Sequence, residues 1–203
     1  MQLPQDEVRK IIVPSRRIGP LKEAWTDLIS PLVTQMGLQV RFNTQTKQIE
    51  LKIGPATKDI AALQKGQDYC RAFVLGFELK DCVALLRMDD LFIDGFDVDD
   101  VKTLHGEHLS RAIGRMVGKG ASEKRKTKKK VYVTLFFPDG QTKFAIENTT
   151  RTRIVIAEKR VHLLGTFADI HVARDALVSL ILGSPPNKVY AKLKTVAARM
   201  KAQ

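Results

Sequence analysis

Apolar and polar positions alternate with a period of two in three short segments of the first eighty residues. A β-branched run at 10–13 ends at Pro14, and this pattern predicts a strand. Segments 39–43 and 47–53 alternate apolar with polar residues around a polar turn at 44–46, which predicts a β-hairpin. Three strands are therefore expected in this part of the chain.

Apolar residues at helical spacing predict helices between and after these strands. Apolar residues between 21 and 36 recur every three or four positions, but Ser30 and Pro31 interrupt them, which predicts two short helices in series. A longer apolar stripe over 60–77 predicts a further helix. Residues 9–80 therefore have the predicted order β-α-α-β-β-α, after an N-terminal tail at 1–8.

The same order of elements returns in the second half of the chain. Seven aspartates and one arginine occupy residues 81–100, so residues 81–92 are expected to be an acidic linker that leads into a strand. Between 93 and 184 a helix, a glycine-rich turn, a short helix, a hairpin and a final helix follow. Two prolines then break the chain, and residues 185–203 are expected to form a basic C-terminal helix.

Charge narrows the class of partner. The chain carries 34 Lys and Arg against 22 Asp and Glu, a formal net charge of +12, which favours a polyanion and nucleic acid first. An inert basic surface is the alternative on charge alone.

Cys70 and Cys82 are the only cysteines, so neither a zinc cluster nor a disulfide framework is expected, and a reducing compartment fits. No signal core or membrane-spanning apolar run is visible, so no membrane partner is expected.

The second unit contains a pattern typical of phosphate binding. Arg111, Arg115 and Lys119 are spaced by four, so they share one helix face and lead into the glycine turn at 118–120. Cations, backbone amides exposed by glycines and the N-terminus of the next helix together hold phosphates. A KH module does this with a Gly-x-x-Gly loop that clamps about four nucleotides. The alternative is that the three cations only solvate the helix.

Two arginines follow this turn at strand spacing. Arg151 and Arg153 alternate on the first strand of the second hairpin, so both side chains are expected on one face of the sheet. They would then flank the same groove. Surface solubility explains them almost as well.

The first unit lacks a glycine loop. Its two short helices are expected to meet at residues 27–30, where no glycine is present and Asp27 would repel phosphate. Residues 9–80 are therefore expected to be a degenerate KH-like domain for protein docking or packing, and residues 93–184 the RNA-binding KH domain. The predicted fold class is α+β: two tandem KH-type (β-α-α-β-β-α) modules packed together, plus the C-terminal helix.

Motifs of enzymes and metal sites are incomplete. The run from Gly114 to Lys119 is one residue short of a Walker loop and lacks the Ser or Thr that would hold magnesium. A calcium-loop pattern within 89–100 fails because Phe92 and Val101 stand where ligands are required. The histidines have no metal-ligand spacing. No catalytic residue, cofactor or metal is therefore expected.

Segments along almost the whole chain, in order, resemble one known family. They are RKIIVP, GLQVRFN, RAFVLGF, LRMDDLFIDGFDV, DVKTLHGEHLSRAIGR, TKFAIENTTRTRIVIA and LILGSPPNKVYAKLKTVAAR. These segments resemble the eukaryotic pre-ribosomal KH proteins called Partner of Nob-one or Dim-two. The resemblance implies an assembly factor of the small (40S) ribosomal subunit that binds pre-rRNA near the 3′ end of 18S rRNA and assists its final processing. Implied partners are a Nob-one-type endonuclease, an rRNA dimethyltransferase and the pre-40S particle. The implied localisation is nucleolus and nucleus, with shuttling to the cytoplasm.

One departure from the family pattern affects the RNA loop. Members of the family have an uninterrupted loop such as Gly-Lys-Asp-Gly, whereas here residues 120–138 separate Gly118 and Lys119 from Asp139 and Gly140. Without that segment the loop would read Gly-Lys-Asp-Gly followed by QTKFAIE, so the resemblance implies that these four residues and Lys143 bind RNA. The segment is either a species-specific basic extension or the translation of an unspliced intron, whose pyrimidine-rich acceptor site would encode its Phe-rich end.

A second function uses the same chemistry. A KH-type regulator that binds mRNA would also be basic and would also contain a glycine loop. Such a regulator is expected to have more functional glycine loops or a disordered regulatory tail, and neither is evident in this sequence. Pre-rRNA is therefore the favoured RNA.

Overall fold

The computed structural model describes residues 7–57, 59, 61–118 and 141–201. The chain divides into two compact units, Met1–Asp89 and Asp90–Gln203. Each unit contains a three-stranded antiparallel sheet, with strand order β1-β3-β2 in the first and β4-β6-β5 in the second. The predicted α+β class and the repeated order of elements are confirmed.

The first unit forms from the apolar stripes that the sequence shows. Its elements are β1 (Val8–Ile12), α1 (Ser15–Glu23), α2 (Trp25–Thr34), β2 (Gln39–Asn43), β3 (Gln48–Lys52), α3 (Ala61–Leu75) and α4 (Leu79–Arg87). Leu21, Leu28 and Leu32 are fully buried, and each contributes about 1.5–3 kcal/mol through burial. The hydroxyl of buried Tyr69 in α3 donates to the carbonyl of Leu28 at 3.1 Å, so α3 is fixed to α2.

The break between the two short helices lies earlier than predicted. It falls at Ala24, with φ −94° and ψ 10°, and not at Ser30 and Pro31. Pro31 lies inside α2, although an interior proline costs about 3 kcal/mol. Burial of Leu28 and Leu32 on either side of Pro31 is worth as much or more, so the helix continues through it.

A helix occupies most of the predicted acidic linker. Residues 81–92 begin within α4, where Cys82, Leu85 and Leu86 are buried at the i, i+3, i+4 spacing of a helix face. The apolar spacing therefore decides the structure here. Of the acidic residues in 81–92, only Asp81 lies within α4, and Asp89 and Asp90 follow its end. Burial also raises the pKa of the Cys82 thiol to about 12.

The second unit repeats the order and adds helices at two places. Its elements are β4 (Phe92–Asp97), α5 (Val98–Val101), α6 (Gly106–Val117), α7 (Gln141–Thr150), β5 (Arg153–Ala157), β6 (Arg160–Gly165), α8 (Phe167–Ile181) and α9 (Pro186–Lys201). The Thr166 hydroxyl caps α8 by accepting the backbone N–H of Asp169 at 3.3 Å. Phe96, Val161 and Ile156 are cross-strand neighbours and are buried in the core of this unit.

Aspartates that follow the predicted linker have basic partners within the same unit. Asp94 pairs with Arg174 at 3.1 Å, and Asp97 pairs with Arg160 at 3.0 Å. These pairs join β4 to α8 and β6. The acidic stretch therefore helps to position the first strand of the unit.

The C-terminal helix packs on the second unit. Val189 and Leu193 are 4% exposed and belong to the same core cluster as Ile146 of α7 and Leu177 of α8. The predicted basic helix is therefore part of this unit's core. Within the described residues, no helix is both long and apolar enough to cross a membrane.

Candidate nucleic-acid interface

The end of α6 touches the start of α7. Gly118 ends α6 in the left-handed region, with φ +92°, and its N–H donates to the carbonyl of Gly114 at 2.8 Å. A Cβ added at Gly118 would lie 2.5 Å from the backbone nitrogen of Thr142 and 2.7 Å from its hydroxyl oxygen. Only glycine fits this backbone conformation and this approach. Gly118 and Thr142 define what we call the α6–α7 junction, and residues 119–140 connect two points that touch.

Two side-chain contacts attach the neighbouring helices to the α6–α7 junction. The hydroxyls of Thr142 and Tyr190 are 2.9 Å apart, which links α7 to the first turns of α9. The Arg115 guanidinium, in the last turn of α6, donates to the carbonyl of Leu180 at 3.1 Å and more weakly to that of Ile181 at 3.5 Å. Arg115 therefore satisfies carbonyls at the C-terminus of α8, a role that the sequence did not suggest.

The other predicted cations in the described part of this region differ in exposure. The Arg111 side chain is 65% exposed and pairs with Glu107 at 3.2 Å, one turn back on α6. Such surface pairs contribute little, so the charge of Arg111 is available to an external anion. Lys143 is half-buried, and its Nζ lies 3.7 Å from Oε1 of Glu147. That same oxygen accepts the backbone N–H of Ile154 at 2.7 Å, so Lys143 offsets the charge of a buried carboxylate.

Arg151 and Arg153 do not alternate on one strand as predicted. Arg151 lies in the turn before β5 with φ +53°, whereas Arg153 is the first residue of β5. Between them, Thr152 is fully buried and its hydroxyl bonds with that of Thr150 at 2.8 Å. Thr150 is the last residue of α7 and Arg151 forms the turn that follows, so the strand begins only at Arg153. Both arginines are exposed.

Three predicted RNA-binding residues lie outside the described part of the chain. They are Lys119, Asp139 and Gly140. The same is true of the predicted insertion at 120–138. The assignment of these residues to RNA stays a prediction.

An exposed aromatic residue beside the α6–α7 junction was not among the predicted site residues. Phe144 lies in the first turn of α7 and is 64% exposed. The buried residues Thr142, Ile146 and Thr150 recur every four positions, so Phe144 lies off the buried face. Spacing could have identified it from sequence, since an aromatic residue off the core face is available to stack on a base.

The junction between helices of the first unit contains one residue. Ala24 separates α1 from α2, donating to the carbonyl of Pro20 at 3.1 Å and accepting from the N–H of Leu28 at 2.9 Å. The predicted meeting point at 27–30 is wrong, because these residues lie within α2. The structural junction also lacks glycine, so the first unit has no counterpart of the α6–α7 junction.

Solved structures share the fold over nearly the whole chain. Dim2p from Pyrococcus horikoshii superposes with a TM-score of 0.72 at 21% identity, covering 94% of this chain and 99% of that one. A chain of the a/eIF2alpha–aDim2p–rRNA complex from the same organism gives a TM-score of 0.74 at 20% identity, covering 95% of each chain. The sequence model of the Eukaryotic type KH-domain (KH-domain type I) matches residues 134–198. The fold and the α6–α7 junction define a KH-domain protein.

Similarity to curated proteins is much higher. RNA-binding protein pno1 of Dictyostelium discoideum is 51% identical over 97% of this chain, and Pre-rRNA-processing protein PNO1 of Debaryomyces hansenii is 55% identical over 96%. The chain therefore belongs to the PNO1 family. It spans 74% and 69% of the length of these two relatives, and 65% of the Saccharomyces cerevisiae protein of the same name, which is 54% identical.

Proposed function

We propose that this chain binds small-subunit pre-rRNA near the 3′ end of 18S rRNA through its second unit. In this role it is a scaffold that presents the RNA for final processing by a partner endonuclease and performs no chemistry itself. The observation that carries the proposal is the contact between Gly118 and Thr142, which brings a left-handed glycine against the start of a helix. A KH module binds RNA at such a position.

In this proposal the residues around the α6–α7 junction have different tasks. Backbone N–H groups in the first turn of α7 have no partner within the helix and carry its positive dipole end, so they bind phosphate. Exposed Arg111 adds long-range attraction, and Lys143 holds the buried Glu147 while it contributes charge. Exposed Phe144 offers a face for one base. Lys119, Asp139 and Gly140 complete the loop in this proposal.

Membership of the PNO1 family supports the proposed partners. They are the Nob-one-type endonuclease, the rRNA dimethyltransferase and the pre-40S particle. The proposed localisation is nucleolus and nucleus, with passage to the cytoplasm on the particle. Support comes from the name Pre-rRNA-processing protein, which curated relatives at 54–55% identity carry. The structural neighbour aDim2p, solved in a complex with a/eIF2alpha and rRNA, adds support for an RNA partner.

Fluorescence anisotropy with an oligonucleotide from the 3′ end of 18S rRNA tests the RNA site. Phe144→Ala should weaken binding by about 1–3 kcal/mol, or about 5- to 150-fold, the usual contribution of one stacked base. Arg111→Gln should lower the salt slope by about 0.7, the value for one single-strand phosphate contact. Phe92→Ala is the matched control, because Phe92 is also exposed, at 53%, but lies on β4.

Unchanged affinity in the Phe144→Ala protein together with an unchanged slope in the Arg111→Gln protein would contradict the site.

Sedimentation of the tagged full chain tests the choice of RNA. Migration with small-subunit precursors supports pre-rRNA, whereas migration with polysomal mRNA would overturn the proposed role in favour of an mRNA-binding regulator.

A further inference from the structure

We propose that Tyr190 of α9 positions the α6–α7 junction for RNA binding and does not itself contact RNA. Tyr190 ends a segment that we call the α8–α9 corner, residues 180–190, which runs from the end of α8 into the first turns of α9. The proposal rests on the proposed function, because it needs RNA at the junction. It gives a part in RNA affinity to a helix that lies outside the β-α-α-β-β-α unit.

The α8–α9 corner contains a short turn that is closed by backbone hydrogen bonds. Residues 182–185 connect the end of α8 to the start of α9. Gly183 has φ +107°, a conformation that favours glycine, and its N–H donates to the carbonyl of Leu180 at 3.1 Å. The N–H of Ser184 donates to the carbonyl of Ser179 at 2.9 Å. These bonds fix the start of α9 relative to the end of α8.

The α8–α9 corner contacts both helices of the α6–α7 junction. On the α6 side, the guanidinium of Arg115 in the last turn of α6 donates to the carbonyl of Leu180 at 3.1 Å. On the α7 side, the Tyr190 hydroxyl donates to the hydroxyl oxygen of Thr142 at 2.9 Å. Thr142 forms the junction with Gly118. The two helix ends that meet at the junction are therefore both attached to the same segment of the fold.

Helix α9 is a rigid support for Tyr190. Val189 and Leu193 are each 4% exposed and belong to the same core cluster as Ile146, which is fully buried one turn after Thr142 on α7. Movement of α9 away from the core would expose this apolar surface to water. Thr142 is itself buried, so water does not readily replace Tyr190 as the partner of its hydroxyl. The bond between the two hydroxyls therefore restricts the first turn of α7.

The position of this first turn matters for RNA in the proposed function. Backbone N–H groups of the first turn of α7 bind phosphate there, and hydrogen bonds weaken steeply when their geometry is lost. If the start of α7 samples other positions, only a fraction of the molecules can bind RNA, and the apparent affinity falls by that fraction. Tyr190 therefore raises RNA affinity by restricting α7.

A double-mutant cycle on RNA affinity tests the proposal. The unchanged chain, Tyr190→Phe, Thr142→Val and the double variant are titrated by fluorescence anisotropy with the oligonucleotide from the 3′ end of 18S rRNA. Tyr190→Phe keeps the ring and removes only the hydroxyl, so RNA binding should weaken by about 2- to 10-fold, which corresponds to one hydrogen bond. Thr142→Val removes the acceptor and should have a similar effect. The double variant should bind no more weakly than the weaker of the two single variants.

Tyr69→Phe is the matched control. The Tyr69 hydroxyl donates to the carbonyl of Leu28 at 3.1 Å, so this variant loses the same kind of bond within the first unit. Both tyrosine variants should have a lower thermal midpoint, but only Tyr190→Phe should lose RNA affinity. Equal losses of affinity in the two variants would show a general effect of stability and would overturn the proposal.

Two other results would also overturn the positioning role. The first is unchanged RNA affinity in Tyr190→Phe. The second is that the effects of Tyr190→Phe and Thr142→Val multiply in the double variant, because the Tyr190 hydroxyl would then act independently of Thr142, as in a direct contact with RNA.

Phe144→Ala separates this proposal from the proposed function. If Phe144→Ala weakens RNA binding and Tyr190→Phe does not, only the positioning role is refuted. If the unchanged chain does not bind the oligonucleotide, or Phe144→Ala leaves its affinity unchanged, the proposed function fails and the positioning role fails with it.

Discussion

Adding one methyl group at Gly118 is the sharpest test of the α6–α7 junction. In Gly118→Ala the new Cβ meets the backbone nitrogen of Thr142 at 2.5 Å, a distance that real Cβ atoms essentially never show. The residue also keeps φ at +92° unless the helix end rearranges, and left-handed backbone costs about 1–2 kcal/mol for alanine. Relief requires α7 to move away from α6.

Moving α7 away from α6 also weakens a second contact, and the two costs together give the expected loss of stability. Shifting Thr142 weakens its hydrogen bond with Tyr190, which contributes about 0.5–1.5 kcal/mol. The total destabilisation is then about 1.5–3.5 kcal/mol. For a chain of this size, about 2–4 °C accompany each kcal/mol, so the thermal midpoint should fall by about 3–14 °C. RNA affinity should also fall, because the start of α7 no longer faces the end of α6.

Gly114→Ala in the same helix is the matched control. Nothing lies within 4 Å of a Cβ at Gly114, and the residue is inside α6. Alanine is better than glycine in a helix by about 0.5–1 kcal/mol, so this variant should be slightly more stable and should bind RNA normally. Circular dichroism melting and RNA anisotropy measure both properties. If Gly118→Ala matched Gly114→Ala in both, the contact between α6 and α7 would not be a requirement of the site.

Three further predictions concern the connection, the thiols and one carboxylate. A chain lacking 120–138 should unfold at higher temperature, because shortening the connection between two touching helix ends lowers the entropic cost of closing the loop by about 1–2 kcal/mol. Weaker RNA binding by that variant would show that the segment contributes contacts with RNA. Cys70 and Cys82 should resist iodoacetamide at pH 8 in the native protein and react in urea, because burial raises the pKa of both thiols to about 12; native labelling would contradict their burial. The hydrogen bond from Lys159 lowers the pKa of Asp99, so ionised Asp99 stabilises the fold above the ordinary carboxyl pKa, and this stabilisation is lost as pH falls through the lowered pKa. Acid melts of Asp99→Asn should lack this part of the pH dependence, and identical pH profiles for the two proteins would refute it.

The periodic spacing of apolar residues predicted most of the fold, because it shows which face of each helix or strand is buried. Both hairpins and the helices α3 and α8 lie where the spacing of apolar residues placed them. The errors arose where a local signal competed with packing. Pro31 indicated a helix start, but Leu28 and Leu32 are buried on either side of it. The count of acids in 81–100 indicated a linker at 81–92, but Cys82 and Leu85 mark a buried helix face.

The candidate site was harder to predict, because sequence shows charge but not how a charge is used. Arg111 and Arg115 look equivalent at i and i+4, yet the first is exposed and the second donates to carbonyls of α8. A distance of 65 residues in sequence separates Arg115 from Leu180, so no local pattern could reveal that contact. Phe144 shows the reverse case, since its exposure follows from the spacing of its neighbours on α7.

The two units differ more in the number of residues that connect their paired helices than in the presence of glycine there. A Gly-x-x-Gly loop needs four residues at the meeting point of two helices, and the single junction residue of the first unit, Ala24, leaves no space for it. Ala24 also uses both of its backbone groups in bonds to α1 and α2. Replacing Ala24 by glycine would therefore loosen the first unit without creating a phosphate site. In the second unit, α6 and α7 are separated in sequence by residues 119–140 yet touch at Gly118, so the connection is free to vary in length while the helix ends keep their positions. The same architecture thus permits a binding loop in one unit and excludes it from the other.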